Sequence, residues 1–222
     1  MELNKNLPIH RWYRIPEMLP RDVVRKLLKY AEGSVLDPFA GVGTVLVEAR
    51  FANLRAVGID INPFMCFASS VKTRNYDAFE IEATLEEIVD GIDSSRVKMS
   101  PPPPLHNLDI YYDFETLGKL LALKNCITKI PDRKIRDLFM LCFLNVAVNS
   151  ANVKKSPAPR FAKKNKAPDV YRTFKKKVKE VIEDVRNLPM LGGEVDICLG
   201  DSRNLNFINE SFDLVITSPP YC

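Results

Sequence analysis

The 222-residue chain is predicted to fold as an α/β protein with a parallel sheet. Three observations carry this prediction. Residues 34–37 and 55–60 are short apolar runs of strand character. Between them a turn rich in proline and glycine leads into a helix-compatible stretch, so strand, turn, helix and strand succeed one another within 27 residues. That succession is a βαβ unit, whose right-handed crossover makes neighbouring strands parallel. Strand character returns only near residue 194, so the core is predicted to be interrupted by an insertion.

Each element has a local reason. Pro20 opens an amphipathic stretch with Val23, Val24, Leu27 and Leu28 on one side and Arg21, Arg25, Lys26 and Lys29 on the other, and Gly33 is expected to stop it. Ser34–Asp37 reads as a short buried strand, broken by Pro38, Gly41 and Gly43. Thr44–Asn53 is compatible with helix, Arg55–Asp60 is the second strand, and Asn62-Pro63 supplies an N-cap and a first helical position. Beyond Lys72 the pattern predicts helices over 80–92, 115–128, 132–150 and 169–188. Between them lie the extended spacer Pro101–Pro104 and a basic loop broken at Ser156-Pro157-Ala158-Pro159 and at Ala167-Pro168. Residues 194–201 and 211–217 return to strand. The expected organisation is a core of 1–73 and 190–222 with a helical insertion at 74–189, whose basic segment runs from 151 to 180.

Composition bounds the function. With 46% hydrophobic and 27% charged residues the chain is ordinary for a globular protein, and no apolar run reaches the roughly 18 residues a membrane span needs. The first ten residues hold no hydrophobic stretch of signal type, so a cytoplasmic location is expected. Five scattered cysteines, never spaced C-x-x-C, argue against a metal site or a disulfide framework. The net charge of +4 conceals an asymmetry: residues 151–180 hold eleven basic and two acidic residues, a local surplus of nine, leaving the remainder five net negative. A mildly acidic body with one basic segment suits an anionic partner met at one place.

Three constellations carry chemistry. The first is Asp37-Pro38-Phe39-Ala40-Gly41-Val42-Gly43-Thr44. Glycine tolerates positive φ and has no Cβ to hold a ligand away from the backbone. The turn matches neither G-x-G-x-x-G, since Leu46 stands at the third glycine position, nor a P-loop, which argues for a ligand without pyrophosphate. By itself such a turn also fits a plain strand-to-helix connection. The second is Asp60, followed by Ile61, at the end of the next strand; an acid there accepts from ribose hydroxyls, or else stabilises the N-terminus of the next helix. The third is Ser218-Pro219-Pro220-Tyr221, directly after a hydrophobic strand. Two prolines end the strand at the sheet's carboxyl edge, where α/β proteins place ligands, and Tyr221 offers a ring on which a base stacks.

Together these resemble the S-adenosylmethionine-dependent amino-methyltransferases. Asp37 to Thr44 is similar to the family's cofactor motif and Ser218 to Tyr221 to its catalytic one. The serine form of that tetrapeptide is most typical of DNA N4-cytosine methyltransferases; enzymes acting on adenine N6 or on RNA usually carry Asp or Asn in place of Ser218. The resemblance implies a Rossmann-like methyltransferase sheet, here about four strands where the family has seven, with S-adenosylmethionine as cofactor. It gives Asp201 and Ser202 a place beside the adenine, and lets His10 to Pro20 close over the methionine end.

For the reaction, the resemblance implies that Ser218 and the Pro219 carbonyl accept hydrogen bonds from an exocyclic base amine. Its lone pair is thereby localised on nitrogen, while Tyr221 stacks on a flipped base. Cys222 is not read as a nucleophile. The basic residues Lys154, Lys155, Arg160, Lys163, Lys164, Lys166, Arg172, Lys175, Lys176 and Lys177 are expected to meet DNA phosphates, although charge runs are also often solvated faces. A sheet of four strands would leave a hydrophobic edge, so a second polypeptide completing the fold is expected, or else a truncated frame. Two alternatives are an RNA methyltransferase of the tRNA guanine-N2 type and a non-catalytic subunit that binds cofactor or DNA.

Overall fold

A computed structural model describes residues 4–94, 108–154, 160–161 and 168–218. Two units are present, one of Met1–Asn75 with Asn187–Cys222 and one of Tyr76–Arg186.

In the first unit, β1 (Ser34–Asp37) lies between β2 (Arg55–Asp60) and a short strand at Leu214–Val215, and the strand at Val195–Leu199 pairs with the outer side of β2. All pairings are parallel, with Val35 beside Ala56 and Leu214, and Ala56 beside Val195. The architecture is the predicted α/β Rossmann-like sheet. Side chains alternate across a strand, so Val35 and Ala56 face one side while Leu36, Val57 and Ile59 face the other. The first side is covered by α1 (Arg21–Leu28) and α2 (Thr44–Phe51), giving a core that includes Val24, Leu28, Val45, Leu46, Ala49 and Ile216. Phe212 packs on the second side. Helix α3 (Pro63–Lys72) follows β2, and the Asn62 side chain caps it by accepting from the Phe64 N–H at 2.9 Å.

Two elements of this unit depart furthest from the sequence expectation. Helix α1 ends at Leu28, well before Gly33, because Tyr30 and Ala31 N–H groups turn back to the Leu27 and Leu28 carbonyls in a tightened last turn. The final strand is confined to Leu214–Val215 instead of 211–217. Asp213 is diverted: its Oδ2 accepts from the Ser34 backbone N–H at 2.5 Å and from the Ser34 hydroxyl at 3.2 Å, capping the start of β1.

The second unit is mainly helical, with α4 (Ala78–Ser94), α5 (Leu108–Tyr111), α6 (Phe114–Thr128), α7 (Arg133–Ser150) and α8 (Val170–Asn187). Its core includes Leu123, Ile127, Ile135, Leu138, Phe139, Val146, Phe174, Val178 and Val181. Asp113, Asp132 and Asp169 cap α6, α7 and α8, each accepting from an N–H three residues on at 2.7–2.8 Å. Burial pushes the Cys142 thiol up to about 12, so it is a packing group and not a nucleophile. The stretch expected to be loop instead pairs β3 (Val153–Lys154) with β4 (Arg160–Phe161) in antiparallel fashion. The two strands of the first unit's carboxyl-terminal part are thus β5 (Val195–Leu199) and β6 (Leu214–Val215). Pro101–Pro104 and Ser156–Pro159 lie outside the described residues. Among the described residues no helix is long and apolar enough to cross a membrane.

Gly58 sets how closely α2 approaches the sheet. A Cβ there would stand 2.6 Å from the Leu46 side chain and 3.0 Å from the Ala40 Cβ. Gly58→Ala is therefore expected to destabilise the protein by about 1–3 kcal/mol in chemical denaturation, as overpacking does. A change near zero would mean that α2 yields without loss.

Candidate active site

Strand order reverses at β1, with β2 on one side and β6 on the other. Beyond the carboxyl ends of these strands lies a cavity of about 730 Å³, the place and size at which open parallel sheets bind small ligands.

Asp37 ends β1 and is 2% exposed. Its Oδ1 accepts from the Phe39 N–H at 3.1 Å, and the Thr217 hydroxyl also donates to it. Burial nevertheless pushes its carboxyl up to about 7; the two hydrogen bonds oppose this and the nearby charge of Asp60 adds to it. In the turn that follows, Gly41 and Gly43 have φ of +52° and +83°. A Cβ on Gly43 would also lie 2.7 Å from the Ser69 Cβ, so glycine is needed there on two counts.

Asp60 ends β2 and holds two loops. Its Oδ2 accepts from the Gly41 N–H and its Oδ1 from the Asn62 N–H, both at 2.8 Å. Each oxygen keeps a further lone pair, so the carboxylate still accepts from a ligand. After β5, the Gly200 N–H reaches the Asp60 carbonyl at 3.1 Å and the Ser202 hydroxyl donates to the Pro38 carbonyl. Arg203 grips Asp201, its Nε 3.0 Å from both carboxylate oxygens, and holds that carboxyl down to about 2. Thus Asp37, Phe39, Gly41, Thr44, Asp60, Ile61, Asp201, Ser202 and Ser218, expected from separate motifs, all line one cavity. Pro38 and Gly43 shape the turn without lining it. Pro219, Pro220 and Tyr221 lie outside the described residues, as do Lys155, Lys163, Lys164 and Lys166; Lys154 and Arg160 are partners across β3 and β4.

Several lining residues were not singled out as ligand-binding from the sequence. Met65 and Arg203 belong to elements already recognised, and the Asp-x-Arg spacing of Asp201 and Arg203 was the available signal. One wall is formed by Ile15, Glu17, Met18 and Leu19. It is anchored from behind by the fully buried Lys72, whose ammonium donates to the carbonyls of His10 at 3.4 Å and Tyr13 at 2.5 Å. Beside it, buried Glu48 meets the His10 ring at 2.6 Å and the Arg25 guanidinium at 2.5 Å. Burial lowers the His10 pKa, against the pull of its hydrogen bond to Glu48.

The lining charges are Glu17, Asp60 and Asp201 against Arg203, and burial biases the Asp37 carboxyl toward its protonated form. Such a site favours a cationic ligand and disfavours a polyphosphate. Among the described residues no group of three or more His, Cys, Asp or Glu could hold a metal ion.

Comparison with known proteins agrees with this layout. Residues 4–70 match the family model for DNA methylase, covering the cavity wall, the glycine turn and Asp60. Over these residues the chain is similar to the DNA methylases. It is similar to the Type II methyltransferase M.MvaI of Kocuria varians, at 24% identity over 96% of this chain and 53% of that protein. It is also similar to the Type II methyltransferase M.BsoBI of Geobacillus stearothermophilus, at 26% identity over 100% of this chain and 51% of that protein. A shorter stretch, 25% of this chain and 11% of the relative, is 36% identical to the Type II methyltransferase M.MjaII of Methanocaldococcus jannaschii. The chain spans about half the length of M.MvaI and M.BsoBI.

The state of Asp37 makes a pH prediction. Its folded value is raised from 3.8 to about 7, so the folded protein holds this proton more tightly than the unfolded one. Stability from Asp37 is then full below pH 3.8 and lost as pH rises through 7, by up to ~4 kcal/mol. Denaturation of wild type and Asp37→Asn between pH 4 and 8 should show their difference growing against wild type as pH rises. A pH-independent difference would show that Asp37 is ionised throughout.

Proposed function

We propose that this chain forms the S-adenosylmethionine-binding and catalytic part of a DNA amino-methyltransferase that acts on cytosine N4. The observation that carries the reading is that Ser218, opening the Ser-Pro-Pro-Tyr motif, lines the same cavity as Asp60 and the glycine turn. Reacting amine and methyl donor must share one enclosed space.

The residues present fit S-adenosylmethionine. The cavity is large enough, and Glu17 and Asp60 offer acidic groups, unpaired with any cation among the described residues, that complement a sulfonium and an ammonium. A Cβ on Gly41 would come within 4.0 Å of the Ile15 side chain, so the bare backbone keeps space between turn and wall. In this reading Asp60 takes the ribose hydroxyls, Phe39, Ile61 and Met65 flank the adenine, Asp201 and Ser202 lie at its edge, and Ile15 to Leu19 close the methionine end. When bound, S-adenosylmethionine supplies an activated methyl group on a positively charged sulfur.

The chain's own contribution to the reaction is to hold the amine. The Ser218 hydroxyl and the Pro219 carbonyl accept its N–H bonds, which localises the lone pair on nitrogen as the methyl group is approached. Tyr221 stacks on the base once it has left the duplex, where the amine is otherwise inaccessible. A serine in this position, where adenine-N6 and RNA enzymes of the family usually carry Asp or Asn, favours cytosine N4. Among the described residues β6 pairs on one side only, and Val215 is exposed. This favours addition of further sheet beside β6.

The decisive measurement is transfer of label from methyl-labelled S-adenosylmethionine to DNA, by this chain alone and together with the polypeptide encoded beside it. Label on cytosine N4 is expected, and Ser218→Ala should lower the rate constant about 10²–10³-fold while leaving cofactor affinity unchanged. Label on adenine N6 would overturn the base assignment. Cofactor binding with no transfer under either condition would favour a non-catalytic role.

A further inference from the structure

Helix α8 buries Val170, Phe174, Val178, Val181 and Ile182. Its other side carries Arg172, Lys175, Lys176 and Lys179, at offsets of three, four and seven, which is one continuous helical face. All four are exposed, and none forms an ion pair among the described residues. The unit does not lack acids: Lys177 pairs with Glu180, Lys119 with Glu115 and Asp169, and Arg186 with Glu82. The stripe is simply left without them.

Arg172 lies in the first turn of α8, which Asp169 caps, and the other three cations follow along the same face. Cations three and four residues apart repel one another. Such repulsion along one face costs stability, and breaches of local rules concentrate where a function requires them. The apolar face docks the helix, so the cations are presented from a rigid base. Arg172 to Lys179 covers about 10 Å along the axis, a length that takes in about three successive phosphates of one DNA strand. No large apolar side chain on α8 is exposed, so the helix has nothing to insert into a bilayer.

We infer that Arg172, Lys175, Lys176 and Lys179 form a docking surface for the phosphate backbone of duplex DNA. The inference rests on the DNA methyltransferase reading and sorts the basic segment. It sets Lys177, tied to Glu180, apart from the stripe and adds Lys179.

The test is fluorescence anisotropy of a labelled 20-base-pair duplex of arbitrary sequence, titrated with the full chain across roughly 50–300 mM salt. Wild type should bind with a steep salt dependence. The variant with Arg172→Gln, Lys175→Gln, Lys176→Gln and Lys179→Gln should lose about 0.9 from the slope of log affinity against log salt for each contact removed, so up to about 3.6 in all. Lys177→Gln, the comparator, should lose less than any one stripe position, and unchanged circular dichroism and cofactor affinity should show that all variants are folded. Wild-type binding with a steep slope that the quadruple variant leaves unaltered would overturn the docking surface while leaving the methyltransferase reading intact. Wild-type binding to single-stranded RNA but not to duplex DNA would overturn both.

Discussion

The carboxylate of Asp60 is the contact on which the site's architecture depends. It stands at the end of β2 and accepts from the Gly41 N–H on one oxygen and the Asn62 N–H on the other. Bonds from neutral N–H groups to an ionised acceptor are stronger than those between neutral partners. One side chain therefore fixes the turn after β1 and the start of α3, and its carbonyl receives Gly200 from the end of β5. Three loops leaving the sheet edge are registered to a single residue. The glycine conformations, the Asn62 cap and the approach of Ser202 to Pro38 all follow from that registration.

Much of this was legible in the sequence because the relevant signals are local. β1 and β2 lie where apolar runs end at Pro38 and at Asn62-Pro63, and proline and glycine punctuate the chain without help from distant residues. The end of α1 is set locally, by its own last-turn carbonyls, whereas the brevity of β6 depends on Asp213 reaching Ser34 across the sheet, a contact that no windowed pattern encodes. The β3–β4 pair is two residues long on each side and sits among prolines and lysines, which mask strand character.

The candidate site divides in the same way. Residues inside motifs were named from sequence, whereas the wall of Ile15 to Leu19 and its supports were only loosely foreseen, because Lys72, His10 and Glu48 meet over long separations. One clue was present in Val45-Leu46-Val47-Glu48-Ala49, where a single acid interrupts a run that is otherwise apolar. Glu48 is 1% exposed, and a buried carboxylate requires partners. The cavity's acidic lining and the turn's departure from the dinucleotide pattern point the same way, since carboxylates disfavour a pyrophosphate.

The cavity takes its lining from residues as far apart as Ile15 and Ser218. Closing so long a loop of chain carries an entropic cost that local helices such as α6 and α7 do not bear, and non-local contacts form late. During synthesis the wall segment and its supports Glu48 and Lys72 emerge early, whereas Ser218 reaches the cavity only once β6 has appeared beside β1. The ligand site is thus among the last features of the first unit to be completed. A bound cofactor would add its binding energy to the assembled state alone and so act as a checkpoint on correct folding.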